Sequence, residues 1–318
     1  MIAVNHRRPA GFARWLVTGA SGALGQELLR ALGADPGAEV TGVSRAGLDI
    51  TDSAAVQDAV AGHDVVVNAA AWTNVDAAES AEEAATEVNG TGVRHLAGAC
   101  SASGAKLLHV STDYVFPGDG CVPYSEDDPV GPLNAYGRSK LAGESAVAEV
   151  LPRHGYVIRT AWLYGGKERN FITTMLDLAT RRETVEVVDD QHGQPTWNRA
   201  LAHKLVELGG KAFEGEAPAG IYHGTAAGQT TWYELARSIF EHAGLDPQRI
   251  QPISSEAFPQ RAKRPAFSVL SHDRWASAGL LPLQHWGTQL TDAFDQLPAL
   301  RASIPDAVRT DRLTGTPE

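Results

Sequence analysis

The sequence predicts an α/β fold, in which a doubly wound parallel sheet is followed by a smaller, mixed C-terminal lobe. Two observations support this prediction. Short apolar runs alternate with helical patterns through the first half of the chain, and a glycine-rich loop joins the first such run to the first helix. Strands that alternate with helices of ordinary length form βαβ units, and the strands of such units run parallel.

Each element of the first half has its own signal. The strands are expected at RWLVTG, AEVTGVS, DVVVNAAA, KLLHVST and YVIRTAWLYG, and the helices at ALGQELLRALG, SAAVQDAVAG, EEAATEVNGTGVRHLAGACSASG and NAYGRSKLAGE. The first helix places Leu24, Leu28 and Leu32 on one face and is closed by Gly33. Ser53 is the expected N-cap of the second helix. The third strand is almost wholly apolar, which is typical of a strand that is buried on both faces.

The second half of the chain is more mixed. Further strands are expected at VEVVDD and GIYHGTA, and TWYELARSIFEHAG is an amphipathic helix capped near Thr230. The expected division is a nucleotide-binding domain at 14–166, joined by the strands near 185–190 and 220–226, a discontinuous second lobe over most of 167–300, and loose termini at 1–13 and 301–318.

Composition argues against several classes of protein. The chain has 318 residues, of which 43% are apolar and 20% charged, and its formal net charge of −11 disfavours a nucleic acid as partner. No apolar run approaches the length of a membrane helix, and the first 14 residues lack the apolar core of a signal peptide. Cys100 and Cys121 form no disulfide framework, and the 11 histidines show no metal-ligand spacing. We therefore expect a cytoplasmic protein with no membrane, nucleic-acid or metal partner.

A glycine loop lies between the first strand and the first helix. VTGASGALG places Gly19, Gly22 and Gly25 at the spacing GxxGxxG. Glycines there allow a tight turn and a close approach of the backbone to a pyrophosphate, and the helix N-terminus then faces the phosphates. The loop predicts a dinucleotide site of the Rossmann type, with the spacing found in short-chain dehydrogenase/reductases.

The end of the second strand indicates which dinucleotide binds. A carboxylate there would bind the ribose of NAD, whereas an arginine accommodates the 2′-phosphate of NADP. The chain has Ser44 and Arg45 at this point, so NADPH is the expected cofactor and NADH stays open. The alternative is that Arg45 is an ordinary surface residue. Asp49 and Ile50 are expected near the adenine, and the alanines at 69–71 leave room for the cofactor.

A tyrosine and a lysine share one face of the helix at 134–144. Tyr136 and Lys140 are four residues apart, and Thr112 ends the fourth strand, where open α/β sheets bind their ligands. The ammonium group is expected to lower the pKa of Tyr136 and to reach the cofactor ribose. The three residues predict a carbonyl reduction in which Tyr136 donates the proton and Thr112 binds the same oxygen. The alternative for an isolated YxxxK is a surface lysine over a half-buried tyrosine.

The chain resembles the dTDP-4-dehydrorhamnose reductase family of extended short-chain dehydrogenase/reductases. The similar stretches include TGASGALGQEL, STDYVFPG, PLNAYGRSKLAGE and VVDDQHGQPT, and they run in family order from about residue 14 to 295. The resemblance implies reduction of the C4 keto group of a dTDP-4-keto-6-deoxy sugar in deoxysugar or rhamnose biosynthesis. It also implies that Thr112, Tyr136 and Lys140 form the catalytic triad.

The expected binding residues fall into two groups. The cofactor group is Gly19, Ser21, Gly22, Ala23, Leu24, Gly25, Ser44, Arg45, Asp49, Ile50, Ala69, Ala70, Ala71, Asn89, Val110, Tyr136 and Lys140. The substrate group is Thr112, Asp113, Trp162, Asn170 and Arg264. Trp162 can stack on a nucleobase or belong to the core, and the basic cluster around Arg264 can bind a diphosphate or balance nearby acids.

Other functions fit the sequence less well. A 4,6-dehydratase resembles this chain but has an acid–base pair after the fourth strand, and here Tyr114 follows Asp113 where the second carboxylate would stand. A hydrolase would need a GxSxG elbow, which the sequence lacks. A 4-ketoreductase for a different dTDP-4-keto sugar and a non-catalytic regulatory subunit of the same fold stay open, as does a homodimer.

Overall fold

The computed structural model describes residues 12–165, 168–297 and 300. The prediction of loose termini at 1–13 and 301–318 falls almost wholly outside the described residues. The strands are β1 (Ala13–Thr18), β2 (Ala38–Val43), β3 (Val65–Asn68), β4 (Lys106–Thr112), β5 (Gly155–Thr160), β6 (Leu163–Tyr164), β7 (Val185–Val188), β8 (His192–Gly193), β9 (Thr196–Trp197), β10 (Gly220–His223), β11 (Ala226–Ala227), β12 (Thr230–Thr231), β13 (Ile250–Ile253) and β14 (Leu283–His285).

Ten α-helices connect or follow these strands within the described residues. They are α1 (Ala23–Gly33), α2 (Ser53–Val60), α3 (Val75–Ala78), α4 (Glu82–Thr86), α5 (Gly92–Ser103), α6 (Ala135–Val150), α7 (Phe171–Arg181), α8 (Asn198–Glu214), α9 (Trp232–His242) and α10 (Trp286–Gln296). None of them has the combination of length and apolar character that would let it cross a membrane.

The predicted doubly wound parallel sheet is confirmed. Six strands pair in the order β2-β1-β3-β4-β5-β10, and every pair is parallel. The direction of winding reverses between β1 and β3, and open α/β sheets bind their ligands in the crevice outside such a point. Gly19 follows β1 and Ala69 follows β3, so the glycine loop lies at this crevice.

Apolar side chains fill both faces of the sheet. On one face, α1 and α8 cover a core that contains Leu28 and Leu205. On the other face, α2, α5 and α6 contribute Val56, Leu96 and Val147 to a second core. Helices thus cover both faces of the sheet, so a binding site is expected at its edge. In open α/β sheets that site lies at the carboxyl ends of the strands.

The C-terminal lobe has its own core and its own short sheets. α7, α9 and α10 enclose Leu176, Ile239 and Phe294, together with one face of β7. The strand expected near 185–190 does not join the main sheet, because β7 pairs with β13 instead. In β7, Val185 and Val187 are buried and Glu186 is exposed, which suits a small sheet with one solvated face. The strand near 220–226 does lie in the main sheet, as β10 beside β5.

Two local expectations differ from the structure. The N-cap of α2 is Asp52 and not Ser53, since its carboxylate accepts the N–H groups of residues 54 and 55. The N-cap of α9 is Thr231, which agrees with the cap expected near Thr230. The single long helix expected after β3 is divided into α4, a π-helical turn at Glu87–Thr91, and α5. π-Helical turns occur often at functional sites, and this one carries Asn89.

Candidate active site

A cleft of about 760 Å³ opens at the carboxyl ends of the main-sheet strands. It reaches from the glycine loop past the ends of β3 and β4 to the starts of α7 and α9 in the C-terminal lobe. The predicted residues that line it are Gly19, Ser21, Gly22, Ala23, Leu24, Gly25, Arg45, Asp49, Ile50, Ala69, Ala70, Ala71, Val110, Thr112, Asp113, Tyr136, Lys140, Trp162 and Asn170. The predicted dinucleotide loop and the predicted catalytic residues therefore share one cleft.

The glycine loop has the geometry that a pyrophosphate needs. Gly19 has a φ of 68°, and a Cβ there would lie 2.6 Å from the backbone of Ala69. A Cβ on Gly25 would lie 2.3 Å from the carbonyl oxygen of Gly19. Gly22 is the N-cap of α1 and offers no side chain to the first N–H groups of the helix, which face an anion in such loops. The loop thus fits the pyrophosphate of a dinucleotide.

Arg45 lies at the end of the cleft that is formed by the turn after β2. Its side chain is exposed, lines the cleft and carries its charge close enough to Asp49 to contribute to the lowered pKa of that carboxyl, which is due mainly to hydrogen bonds from Thr51. No carboxylate lies at the end of β2 to take the place of Ser44 or Arg45. The arrangement fits a dinucleotide with an added phosphate on this ribose.

Two residues predicted at the cofactor do not line the cleft. Ser44 lies in the turn after β2, where its carbonyl accepts the N–H groups of Gly47 and Leu48 at 2.9 Å each. Asn89 is fully buried, and its amide bonds to both backbone groups of Trp72 and to the hydroxyl of Ser139. Its amide is therefore already used in holding the chain at Trp72, which does line the cleft.

The start of α6 places the predicted proton donor. Asn134 caps the helix by accepting the N–H of Gly137 at 2.8 Å, and it also donates to the carbonyl of Lys263 in the C-terminal lobe at 2.9 Å. Tyr136 lies in the first turn, so its position is set from both parts of the molecule. Lys140 follows one turn later and is buried, and its ammonium donates to the carbonyl of Val110 on β4 at 2.6 Å.

Lys140 was expected to lower the pKa of Tyr136, but in the structure that pKa is raised. Burial, followed by the charge of Asp113, raises the pKa of Tyr136 to about 12, and only the side chain of Thr112 counters it. Burial also lowers the pKa of Lys140 to about 8. Lys140 is not among the groups that shift the pKa of Tyr136, and burial disfavours the charged form of each residue. Tyr136 is therefore a phenol at neutral pH.

A buried ion pair lies behind the catalytic residues. Glu144 follows Lys140 by one turn of α6 and accepts three hydrogen bonds from the guanidinium of Arg159, the shortest at 2.7 Å. It also accepts the hydroxyl of Ser111 at 2.5 Å. The carboxylate counters the lowering of the pKa of Lys140 by burial. Of this group only Ser111 lines the cleft, and sequence patterns did not indicate any of the three.

Asp113 is a buried carboxyl at the reacting end of the cleft. One oxygen accepts the hydroxyl of Thr112 at 2.9 Å, and no donor lies in hydrogen-bond geometry with the other oxygen among the described residues. Burial raises the pKa of Asp113 to about 6, and the hydroxyl groups of Ser268 and Thr112 act in the opposite direction. A buried acceptor with spare capacity in a cleft can bind a hydroxyl of a ligand.

Trp162 and Asn170 both lie at the far end of the cleft. The indole of Trp162 stacks on that of Trp232, with ring centroids 3.6 Å apart, so this face of the ring cannot take a nucleobase. Asn170 is the N-cap of α7 and forms a capping box with Thr173, while its amide nitrogen donates to the carbonyl of Gly165 at 2.7 Å. Its side chain is used mainly in shaping the start of the helix.

Arg264 is not among the residues that line the cleft. Its guanidinium pairs with Asp76 at 2.9 Å, and the neighbouring N–H of Ala262 donates to the same carboxylate. Arg261 contacts the hydroxyl of Ser80. The basic segment is therefore fastened to α3 and the turn that follows it, which the sequence could not show because nearly 190 positions separate Asp76 from Arg264.

The cleft also contains residues that were not among the predicted binding or catalytic residues. Those that line it include Trp72, Ser111, Tyr114, Arg169 and Trp232. Ser111 and Tyr114 lie close to Thr112 at the end of a parallel strand, and that position alone could have indicated them. Arg169 and Trp232 lie in the second half of the chain and had no comparable signal.

A dinucleotide loop at the switch point, with a tyrosine and a lysine one turn apart at the carboxyl edge, defines the short-chain dehydrogenase/reductases, and this fold is of their extended type. Solved structures with the same fold include a UDP-glucose 4-epimerase from Thermus thermophilus, at a TM-score of 0.74 and 21% identity over 92% of this chain and 100% of that one. Within that class, the chain belongs to the family described as RmlD substrate binding domain, whose profile matches residues 13–298.

Relatives within the family cover nearly the whole chain. The chain is 57% identical over 286 residues to a dTDP-4-dehydrorhamnose reductase of Streptomyces griseus, a match that spans 89% of this chain and 94% of the relative. It is 48% identical to a dTDP-4-keto-6-deoxy-D-glucose reductase of Streptomyces niveus, over 90% of this chain and 98% of that protein. A dTDP-4-dehydrorhamnose reductase of Bacillus anthracis, solved in complex with NADP, is similar at a TM-score of 0.84 and 35% identity over 90% of this chain and 99% of that one.

Proposed function

We propose that this protein uses NADPH to reduce the C4 keto group of a dTDP-4-keto-6-deoxy sugar, as a dTDP-4-dehydrorhamnose reductase. The observation that carries the proposal is that Thr112 and Tyr136 line the same cleft as the uncapped start of α1. A carbonyl bound there meets a proton donor beside a dinucleotide. Membership of the family and the 57% identical relative support this class of substrate.

The chemistry follows from the protonation states. NADPH, when bound, would supply the hydride for C4. Tyr136 would give its phenolic proton to the carbonyl oxygen, which would become a hydroxyl. Because the pKa of Tyr136 is about 12, the residue is protonated at neutral pH and acts as the acid. Lys140, with a pKa of about 8, is largely charged at neutral pH and stabilises the phenolate that forms. Thr112 can turn its hydroxyl from Asp113 to the same oxygen.

The two phosphate-bearing ligands need cations of their own. Lys140, although it lines the cleft, is buried and already bonded to Val110. Among the cleft residues that the structure describes, that leaves Arg45 for the 2′-phosphate of the cofactor and Arg169, just before the start of α7, for the diphosphate of the sugar nucleotide. Arg264, which the sequence favoured for this task, is held by Asp76. An arginine suits either task because its planar fork of N–H groups matches phosphate oxygens.

A second candidate is a reductase for another dTDP-4-keto sugar. The 48% identical relative named for dTDP-4-keto-6-deoxy-D-glucose favours it, since the catalytic residues would be the same. The stereochemistry at C4 depends on which face of the sugar meets the cofactor. A dehydratase is disfavoured because Tyr114 lines the cleft where a second carboxylate would be needed. A cytoplasmic location and a homodimer stay predictions.

The test is oxidation of NADPH with a panel of dTDP-4-keto-6-deoxy sugars, followed by NMR of each product. We expect turnover with dTDP-4-dehydrorhamnose and a product reduced at C4 only. Turnover of another sugar at a higher kcat/KM would favour the second candidate. Absence of turnover with every sugar, although NADPH binds, would favour the regulatory subunit and contradict both reductases.

A further inference from the structure

The backbone of Trp162 is strained. Its φ is 47°, and it is the one residue other than glycine with a positive φ in the part of the chain that the structure describes. For a bulky side chain this region of φ/ψ space is rarely populated, and such a conformation persists only where the surroundings impose it. Trp162 stands two residues beyond Thr160, which is level with Thr112 in the β4–β5 ladder, and it lines the cleft.

Two neighbours confine the indole of Trp162. The ring of Trp232 lies parallel to it, with an angle of 11° and a centroid separation of 3.6 Å. Gly193 lies close to the ring as well, and a Cβ at that residue would come within 2.4 Å of an indole carbon. The carbonyl of Trp162 accepts the N–H of Thr196 at 3.2 Å. These three contacts with the C-terminal lobe therefore hold the strained backbone.

Trp232 is itself held firmly. It is the first residue of α9, whose cap Thr231 accepts the N–H of Glu234 and donates to Asp189 at 2.7 Å. Phe171 at the start of α7 packs against its ring, with centroids 4.6 Å apart. Two helices of the C-terminal lobe thus fix the indole on which Trp162 rests.

We propose that Trp232 is a positioning residue for the sugar nucleotide: it holds Trp162 in its strained conformation and so shapes the substrate end of the cleft. This inference rests on the proposed reductase function. It explains why a residue in a second lobe stacks on a strained residue that follows β5, and why a glycine is placed at 193. Trp232 need not touch the sugar nucleotide to act in this way.

Three variants disturb the stacking of Trp162 on Trp232 to different extents. Trp232→Leu abolishes the indole pair, Trp232→Phe keeps a ring, and Gly193→Ala pushes on Trp162 from the neighbouring strand. Trp286→Leu is the matched control, because Trp286 is likewise the first residue of a lobe helix and packs on the same core but does not line the cleft. The exciton signal of two stacked indoles in far-ultraviolet circular dichroism reports the stack directly, and thermal unfolding reports the fold.

We expect Trp232→Leu and Gly193→Ala to lower kcat/KM for the dTDP-4-keto sugar by roughly tenfold to a hundredfold, with the KM for NADPH unchanged. Trp232→Leu should lose the exciton signal, whereas Trp232→Phe should keep most activity and Trp286→Leu all of it. Unchanged kinetics in Trp232→Leu, or an equal loss toward both ligands, would overturn the proposal.

Failure of the proposed function would be recognised separately. If the wild-type protein reduced no dTDP-4-keto sugar, the reductase assignment would fall, and titration with dTDP alone would then test the positioning role. Weaker dTDP binding by Trp232→Leu and Gly193→Ala than by wild type and Trp286→Leu would support that role. Equal dTDP binding by all four proteins would overturn it.

Discussion

The reacting part of the cleft and its two phosphate-binding ends are built differently. Thr112 and Lys140 are buried at a strand end and in a helix, and each is hydrogen-bonded within the protein. Arg45 and Arg169 are exposed, and neither forms an ion pair with a residue that the structure describes. The reacting groups are thus positioned before any ligand arrives, whereas the arginines are left to be ordered by the ligands. Substitutions in the first region should affect kcat, and those in the second KM.

The largest effect is expected for Tyr136→Phe. The variant removes the proton donor and little else, so kcat should fall by roughly a hundredfold to ten-thousandfold, while the affinity for NADPH stays the same. Steady-state kinetics and a fluorescence titration with NADPH measure the two quantities. Near-wild-type turnover would mean that another group protonates the carbonyl oxygen.

Lys140→Met should lower kcat by roughly a hundredfold and also weaken the binding of NADPH, since the ammonium both stabilises the phenolate and is expected to reach the ribose. The wild-type enzyme should lose activity as the pH rises through about 8, because Lys140 is charged below its pKa and neutral above it. Rate–pH profiles and cofactor titrations test both statements. An unchanged affinity for NADPH would exclude the ribose contact.

Asp113→Asn should stabilise the fold, because the buried carboxylate at the reacting part of the cleft lowers the free energy of unfolding. Burial raises the pKa of Asp113 from 3.8 to about 6, so the folded state takes up a proton more readily than the unfolded state. Above pH 6 the buried carboxylate therefore disfavours folding, on the order of 2–3 kcal/mol, and below pH 4 this cost is absent. The variant should melt at a higher temperature than wild type at pH 8, and this gain should vanish near pH 4. A lower melting temperature at pH 8 would show that the carboxylate is satisfied in the fold.

Arg45→Ala should change the choice of cofactor without affecting the melting temperature. We expect the wild type to prefer NADPH over NADH by about tenfold or more in kcat/KM, and the variant to lose the preference through the KM for NADPH. Kinetics with both cofactors on both proteins make the comparison. Equal use of NADH and NADPH by the wild type would mean that Arg45 is an ordinary surface residue.

The smallest effect is expected for Arg169→Ala. The loss of one exposed cation should raise the KM for the dTDP-4-keto sugar by roughly threefold to tenfold and leave the KM for NADPH unchanged. Arg261→Ala is the matched control, since Arg261 is also exposed but does not line the cleft. Equal effects of the two variants would indicate a general loss of positive charge and not a contact with the diphosphate.

Local patterns were sufficient to predict the sheet, the position of the glycine loop, and the cleft that Thr112, Tyr136 and Lys140 share. A strand followed by GxxGxxG and a helix can place Gly19 in only one way, and Tyr136 and Lys140 share a face because a helix repeats every 3.6 residues. Thr112 was predictable because the carboxyl ends of parallel strands meet at one edge. These inferences depend only on neighbours in the sequence and on the regularity of the elements.

Features that depend on long-range contacts or on burial became visible only in the tertiary structure. Arg264 lies within reach of Asp76, Trp162 within reach of Trp232, and Ser111 within reach of Glu144, and no periodicity in the sequence relates the members of these pairs. The same holds for the raised pKa of Tyr136, which the YxxxK motif predicted with the wrong sign. The cost of removing a charge from water depends on everything that surrounds it, and those surroundings exist only once the distant parts of the chain have come together.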